Sequence, residues 1–195
     1  MDGAGLGAPA DRAEPPAQQP LRDRRRRPAV TRYDERYLSS TKLSYLYTPG
    51  AAPVTFTVDG LRFGCALGLE THFPEVFAEY ERAGADCVLF STHGAGTPVN
   101  DGPMAAQAAG HAAVNSYWVS YAVVAADAAN APAGVAGPDG RWAARCPAEA
   151  VPALAVADLE RPASSPRPWL RHARSGIYEP FQAPGDARSA DRAAF

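Results

Sequence analysis

Lysine is almost missing from this chain. Of its 19 basic residues only Lys42 is a lysine, and the others are arginine. With the visible excess of alanine, this reads as the coding bias of a GC-rich genome and carries no function by itself. Cysteine is scarce too. Three cysteines are an odd number, and none form a Cys-x-x-Cys pair, so no disulfide framework is implied and a reducing cytoplasm is predicted. Excess charge is also lacking. A net charge of -2 selects no particular partner. No apolar run is long enough to span a membrane, and the first residues have no apolar core of a secretory signal. Arg24 to Arg27 resemble a twin-arginine signal, but the residues after them are not apolar.

What is present suits one domain with a core, since 46% of the 195 residues are hydrophobic. Residues 1–29 have almost no large apolar side chains and are expected to be a disordered Ala/Pro/Arg-rich tail. Residues 30–161 hold the foldable part, and residues 162–195 are expected to be an irregular Pro/Arg-rich extension. Within the middle segment, a polar loop is predicted at 39–42, followed by an aromatic stretch at 43–47 and a Thr-Pro-Gly turn at 48–50. Residues 54–58 alternate like a strand, Asp59-Gly60 is a hairpin turn, and 61–67 is a near-continuous apolar strand. Pro74 opens a helix whose Val76, Phe77 and Tyr80 share one face, with Gly84 as its C-cap. A short strand at 87–90 completes a βαβ unit with parallel pairing. Further along, 93–103 is predicted as a loop, 104–115 as a helix and 117–125 as a strand. A loop at 126–140 then leads to strands at 142–145 and 153–158.

The densest signal is at 61–75, Leu-Arg-Phe-Gly-Cys-Ala-Leu-Gly-Leu-Glu-Thr-His-Phe-Pro-Glu. An apolar strand, a sharp turn and a helix start make a nucleophile-elbow layout. The segment resembles the elbow of the nitrilase superfamily, the carbon–nitrogen hydrolases, and most of all amidohydrolases reading Cys-Ile-Glu-Val-His-Phe-Pro-Glu. Gly84-Ala85-Asp86, the Ala112, Asn115 and Val119 passage, and Gly134-Val135 with Gly137-Pro138-Asp-Gly140 resemble further family segments in order. A Trp169 to Tyr178 stretch is similar to the family tail. The resemblance implies an α/β fold, here an incomplete αββα sandwich of the nitrilase type. It also implies that the family's N-terminal strands, with the first catalytic glutamate, have no counterpart, so a truncated family protein is expected.

That chemistry needs a thiolate nucleophile, a glutamate base and a lysine for the oxyanion. By the resemblance, Gly68 stands at the nucleophile position, Glu35 replaces the lysine in a Tyr33 to Leu38 strand, and Lys42 falls near the second glutamate. Arg36 is expected on the opposite face of that strand. The swapped charges of Glu35 and Lys42 are expected to form an ion pair that holds the loop. Glu70 and His72 either order the elbow and line a pocket, or are polar groups satisfied by local backbone. Cys65, three residues before Gly68, is expected on the other side of the strand as a small buried hydrophobe, with a relocated nucleophile as the alternative. Cys87 and Cys146 read as strand residues. Ser91-Thr92-His93 is close to a Ser/His pair but lacks the spacing of an attack geometry.

The expectation is therefore a catalytically deficient carbon–nitrogen hydrolase, with no cofactor and no metal. Two further readings stay open: an active amidohydrolase with another nucleophile, and a non-catalytic pseudoenzyme that binds a partner. Exposed sheet edges and an uncovered apolar face predict homo- or hetero-oligomers. A nucleic-acid role through the Arg-rich run at 22–27 is disfavoured, and its signature would be salt-dependent binding.

Overall fold

A computed structural model describes residues 31–39, 42, 47–93 and 98–161. The expected tail at 1–29, the extension at 162–195 with its Trp169 to Tyr178 stretch, and most of the 39–47 loop lie outside the described residues.

The described residues build one six-stranded mixed sheet. In order these strands are β1 Thr55–Val58, β2 Leu61–Leu67, β3 Cys87–Thr92, β4 Trp118–Val123, β5 Gly134–Ala136 and β6 Trp142–Arg145. Spatial order equals chain order. β1 and β2 form a hairpin closed by Asp59 at φ 49° and Gly60 at φ 79°. Two consecutive left-handed residues make the turn that matches strand twist. β2, β3 and β4 are parallel neighbours, and β5 and β6 return antiparallel.

Among the described residues, two α-helices cover one face. α1 runs Pro74–Arg82 with its proline in the first turn, and α2 runs Pro98–Asn115. Val76, Phe77 and Tyr80 of α1 are fully buried, as their spacing predicts. They meet Ala66, Val88, Phe90, Val119 and Tyr121 from the sheet. Gly64 of β2 lets the Tyr80 ring lie directly on the strand, where any Cβ would collide with it. α1 stops at Gly84, φ +71°, and the Ala85 N–H returns to the Tyr80 carbonyl at 2.9 Å. The alanines of α2, among them Ala105, Ala108 and Ala112, are small enough to bring it onto the same core.

The structure redraws four of the expected elements. α2 begins at Pro98, six residues before the predicted start, and runs through Pro103. Packing of the following alanine face outweighs one missing ladder bond at the proline. β5 lies inside the predicted 126–140 loop, because three residues flanked by glycine and alanine leave too little pattern to read. Residues 33–38 form no strand; they are an irregular segment with a bend, held by side chains described below. Residues 153–158 are not a strand either, and Leu154 and Val156 stay largely exposed.

The last described residues instead form a strap at the sheet's second face. The Trp118 indole N–H donates to the Glu160 carbonyl at 2.8 Å. Arg161 forks onto Asp86 at 2.8 and 2.9 Å and reaches the Gly60 carbonyl at 2.6 Å. The Arg161 guanidinium, set against partial burial, holds the Asp86 carboxyl below its usual range. Strand pairing puts Phe56, Phe63, Cys65, Leu89 and Ser120 on that second face. Leu89 is 38% exposed there. The described residues thus give one layer of sheet and one layer of helices.

Candidate functional site at a glycine elbow

β2 ends at Leu67 and the chain turns at once into a 3-10 turn, Gly68–His72, before α1. Gly68 sits at the apex with φ +49°, a left-handed conformation that glycine adopts without steric cost. The strand–elbow–helix layout read from 61–75 is therefore present.

Glu70 fixes this elbow from inside. Its side chain is fully buried. The Leu67 N–H donates to Oε2 at 2.8 Å, closing the turn locally. The Arg36 N–H donates to Oε1 at 2.6 Å, and the Tyr33 hydroxyl lies 2.7 Å from both oxygens. Three donors thus converge on one carboxylate, two of them from a segment more than thirty residues away in sequence. Burial, with the bond to Glu70 and against the pull of Arg36, lifts the Tyr33 phenol far above the ordinary tyrosine range. Arg36, expected on the far face of a strand that does not form, donates to Glu79 of α1 at 2.6 Å. Burial alone would lower its pKa; hydrogen bonds to Tyr33 and Glu79 outweigh it and raise it. The Tyr37 ring stacks on Phe73 at 4.3 Å. These contacts replace a strand ladder in pinning residues 33–37 over the elbow. The two readings of Glu70 merge: it binds local backbone and orders the site.

Pinned this way, Glu35 reaches the elbow apex. Lys42 Nζ lies 2.6 Å from Glu35 Oε2, so the expected ion pair is formed. The backbone N–H of Leu69 points at Oε1 from 3.4 Å, a long contact. A Cβ placed on Gly68 would stand 2.7 Å from Glu35 Oε1 and 3.5 Å from Lys42 Nζ. The structure therefore gathers Gly68, Glu35 and Lys42 into one cluster, although Gly68 is far from the other two in sequence.

His72 is exposed, and its Nδ1 lies 2.9 Å from Nε2 of Gln107 on α2, so its partner is neither pocket nor local backbone. His111, too isolated in sequence to suggest a metal site, is buried against α1. Its ring lies flat on Phe77 with centroids 3.8 Å apart, and its Nε2–H donates to the Thr71 carbonyl at 2.9 Å. Burial, opposed by that carbonyl, lowers its pKa. Thr71 Oγ1, Gln107 Oε1 and Arg36 Nη2 are buried without partners among the described residues. Tyr33 and Arg36 were legible as neighbours of Glu35, but nothing in their spacing points to Glu70.

Cys65 lies on the second face of the sheet, as expected. Burial, and then the charge of Glu70, push its thiol up and disfavour the thiolate. Burial pushes the Cys87 thiol up to about 12. Thr92 is turned inward with its hydroxyl 3.7 Å from the Met104 sulfur, while Ser91 and His93 are exposed. A cleft of about 200 Å³ under residues 153–155 is lined by β4, β5 and Cys146, with none of the elbow residues in it.

No family model and no curated protein matches this sequence. Solved structures do match in shape. An amidase from Nesterenkonia sp. AN1 superposes with TM-score 0.56 at 20% identity, over 78% of this chain and 58% of that one. A mutant of the same amidase in complex with butyramide matches with TM-score 0.55 at 21% identity, over 77% of this chain and 56% of that one. Saccharomyces cerevisiae Nit3, a member of branch 10 of the nitrilase superfamily, matches with TM-score 0.53 at 17% identity, over 79% and 53%. The chain thus spans less than two thirds of the length of the structures it matches. Its sheet and helices have the fold of that part of nitrilase-superfamily proteins.

Proposed function

We propose that this chain is a carbon–nitrogen hydrolase-type protein whose elbow no longer hydrolyses amides or nitriles. The observation that carries the proposal is the composition of the cluster at the apex. Acyl transfer needs a nucleophile there and positive charge where the oxyanion develops. Gly68 supplies no nucleophile, and the group nearest to it is the Glu35 carboxylate, which repels an oxyanion. Cys65 does not substitute, since it lies on a different face with its thiol kept protonated. Three free cysteines fit a reducing compartment, and we place the protein in the cytoplasm on that ground. Among the described residues no helix is long and apolar enough to cross a membrane.

The test is ammonia release from short aliphatic amides and nitriles. The unmodified chain is expected to give none above background. Turnover that disappears on substituting Cys65 or Ser91 would overturn the proposal. A Gly68→Cys change alone should leave a sluggish thiol beside Glu35, and adding Glu35→Lys should raise its reactivity toward acrylamide by about tenfold or more, since the neighbouring charge changes sign. In a mutant of the Nesterenkonia amidase acrylamide adds to the active-site cysteine, which makes it a suitable probe.

A second reading, a non-catalytic partner-binding protein, is favoured by the second sheet face. Phe56 stacks with Phe63 there, 5.6 Å apart, and Leu89 is exposed. Sedimentation of the full chain distinguishes them: a monomer at all concentrations counts against partner binding through this face by a second copy.

A further inference from the structure

We propose that the elbow contains a working carboxylate-binding site, now filled in cis by the side chain of Glu35. Two donors define it. Lys42 Nζ holds one carboxylate oxygen at 2.6 Å, and the Leu69 N–H faces the other at 3.4 Å. The Leu69 N–H belongs to the residue that follows the nucleophile position, and a backbone N–H at that place is oriented to receive negative charge. Lys42 supplies the full positive charge, and an ammonium on a carboxylate is among the stronger hydrogen bonds.

The third wall is a missing side chain. A Cβ at Gly68 would intrude to 2.7 Å on Glu35 Oε1, so glycine opens the space the carboxylate occupies. The Glu35 side chain is 10% exposed and sits in that space, with Lys42 closing the outer side at 38%. The cluster has the composition of an anion hole with its anion attached to the chain. Because the occupant is tethered, its effective concentration excludes a free carboxylate at millimolar levels. Removing only the tethered carboxylate leaves both donors and the glycine gap in place. The chemical class the site takes is then a small monocarboxylate, formate or acetate, and not the neutral amide.

This inference concerns the same cluster as the proposed loss of hydrolysis, but it stands on binding. Absence of hydrolysis leaves it untouched, and absence of carboxylate binding leaves the hydrolysis result untouched. The experiment is rescue of Glu35→Ala by acetate, with acetamide and chloride at equal concentration as controls. At about 0.3 M, acetate should raise the melting temperature of Glu35→Ala by about 3 °C relative to chloride. The unmodified chain and a Glu35→Ala/Lys42→Met double variant should show no such difference. Equal acetate effects in all three, or none in a cooperatively folded Glu35→Ala, overturn the proposal.

Lys42 is the only lysine in the chain, which provides a readout that does not depend on the alanine variant folding. Reductive methylation with carbon-13 gives a single dimethyl-lysine signal besides the separate terminal amine. In the unmodified chain that signal should ignore acetate. In the isosteric Glu35→Gln it should move saturably with acetate and not with chloride. A Lys42 signal that ignores acetate in a folded Glu35→Gln, or that moves equally with acetate in the unmodified chain, overturns the site.

Discussion

Gly68→Ala is the smallest change that puts a side chain at the elbow, and its cost has two separable parts. The first is backbone. Gly68 has φ +49°, and an L-residue in the left-handed region costs about 1–2 kcal/mol. The second is the Glu35 carboxylate, whose Oε1 would lie 2.7 Å from the new methyl. That atom ends a flexible side chain, so relief comes by swinging the carboxylate aside. The swing gives up the 2.6 Å contact to Lys42 and the longer one to Leu69. With Lys42 at 38% exposure, solvent screens the pair, and its loss is worth about 1 kcal/mol. Gly68→Ala should therefore cost about 2–3 kcal/mol in the unmodified chain and about 1–2 kcal/mol in a Glu35→Ala background, a coupling of about 1 kcal/mol. Equilibrium urea unfolding of the four proteins, followed by tryptophan fluorescence, measures it. Equal costs in the two backgrounds would refute the idea that the carboxylate fills the place of a side chain. No cost in either would also refute the strained backbone.

Glu70→Gln should destabilise the fold by about 2 kcal/mol and Glu70→Ala by about 4 kcal/mol, because Tyr33, Arg36 and Leu67 lose a shared buried acceptor; a neutral Glu70→Gln in urea melts, with the Arg36 amide still protected from hydrogen exchange, would contradict this. His111 gives a pH dependence of known sign. Its folded pKa lies below its ordinary value of 6.5, so between the two values the unfolded chain binds more protons than the native one. Stability should fall as pH drops below about 6.5, by at most about 1.4 kcal/mol per unit from this group. His111→Phe should flatten that part of the profile, and an unchanged slope in the variant would assign it elsewhere.

Much of the sheet was readable because its strands carry period-two or continuously apolar runs between strong turn residues. Asp59-Gly60 set the hairpin, and Pro74 with Gly84 bounded α1. The misreadings share a cause. Pro103 marks a boundary locally, yet tertiary packing carries α2 through it. Residues 134–136 are too short for a pattern, and the apolar residues at 153–158 look like a strand although no neighbour pairs with them among the described residues. In the site, the Glu35–Lys42 ion pair was expected from sequence, and the structure forms it beside Gly68. The acceptor that brings them together was not legible. Glu70 collects Tyr33 and Arg36 across more than thirty residues, and such a contact leaves no periodicity.

In the proposed reading, binding and turnover part company at this elbow. Glu35 and Lys42 form an ion pair that anchors the segment over the elbow. The orientation of that pair decides which sign touches the apex. With Glu35 inward, an approaching carbonyl meets negative charge at the point where its own oxygen must become negative. Moving that carboxylate out by one side-chain rotation would restore a positive environment from Lys42 and the Leu69 N–H. No rotation restores a nucleophile, because Gly68 has no side chain and the nearest thiol on the same strand, Cys65, points to the other face. Anion affinity is therefore recoverable by changing one residue, whereas hydrolysis requires at least a new side chain at 68 and a changed charge at 35. A Glu35→Ala variant that binds acetate yet releases no ammonia from acetamide is the combination this geometry requires.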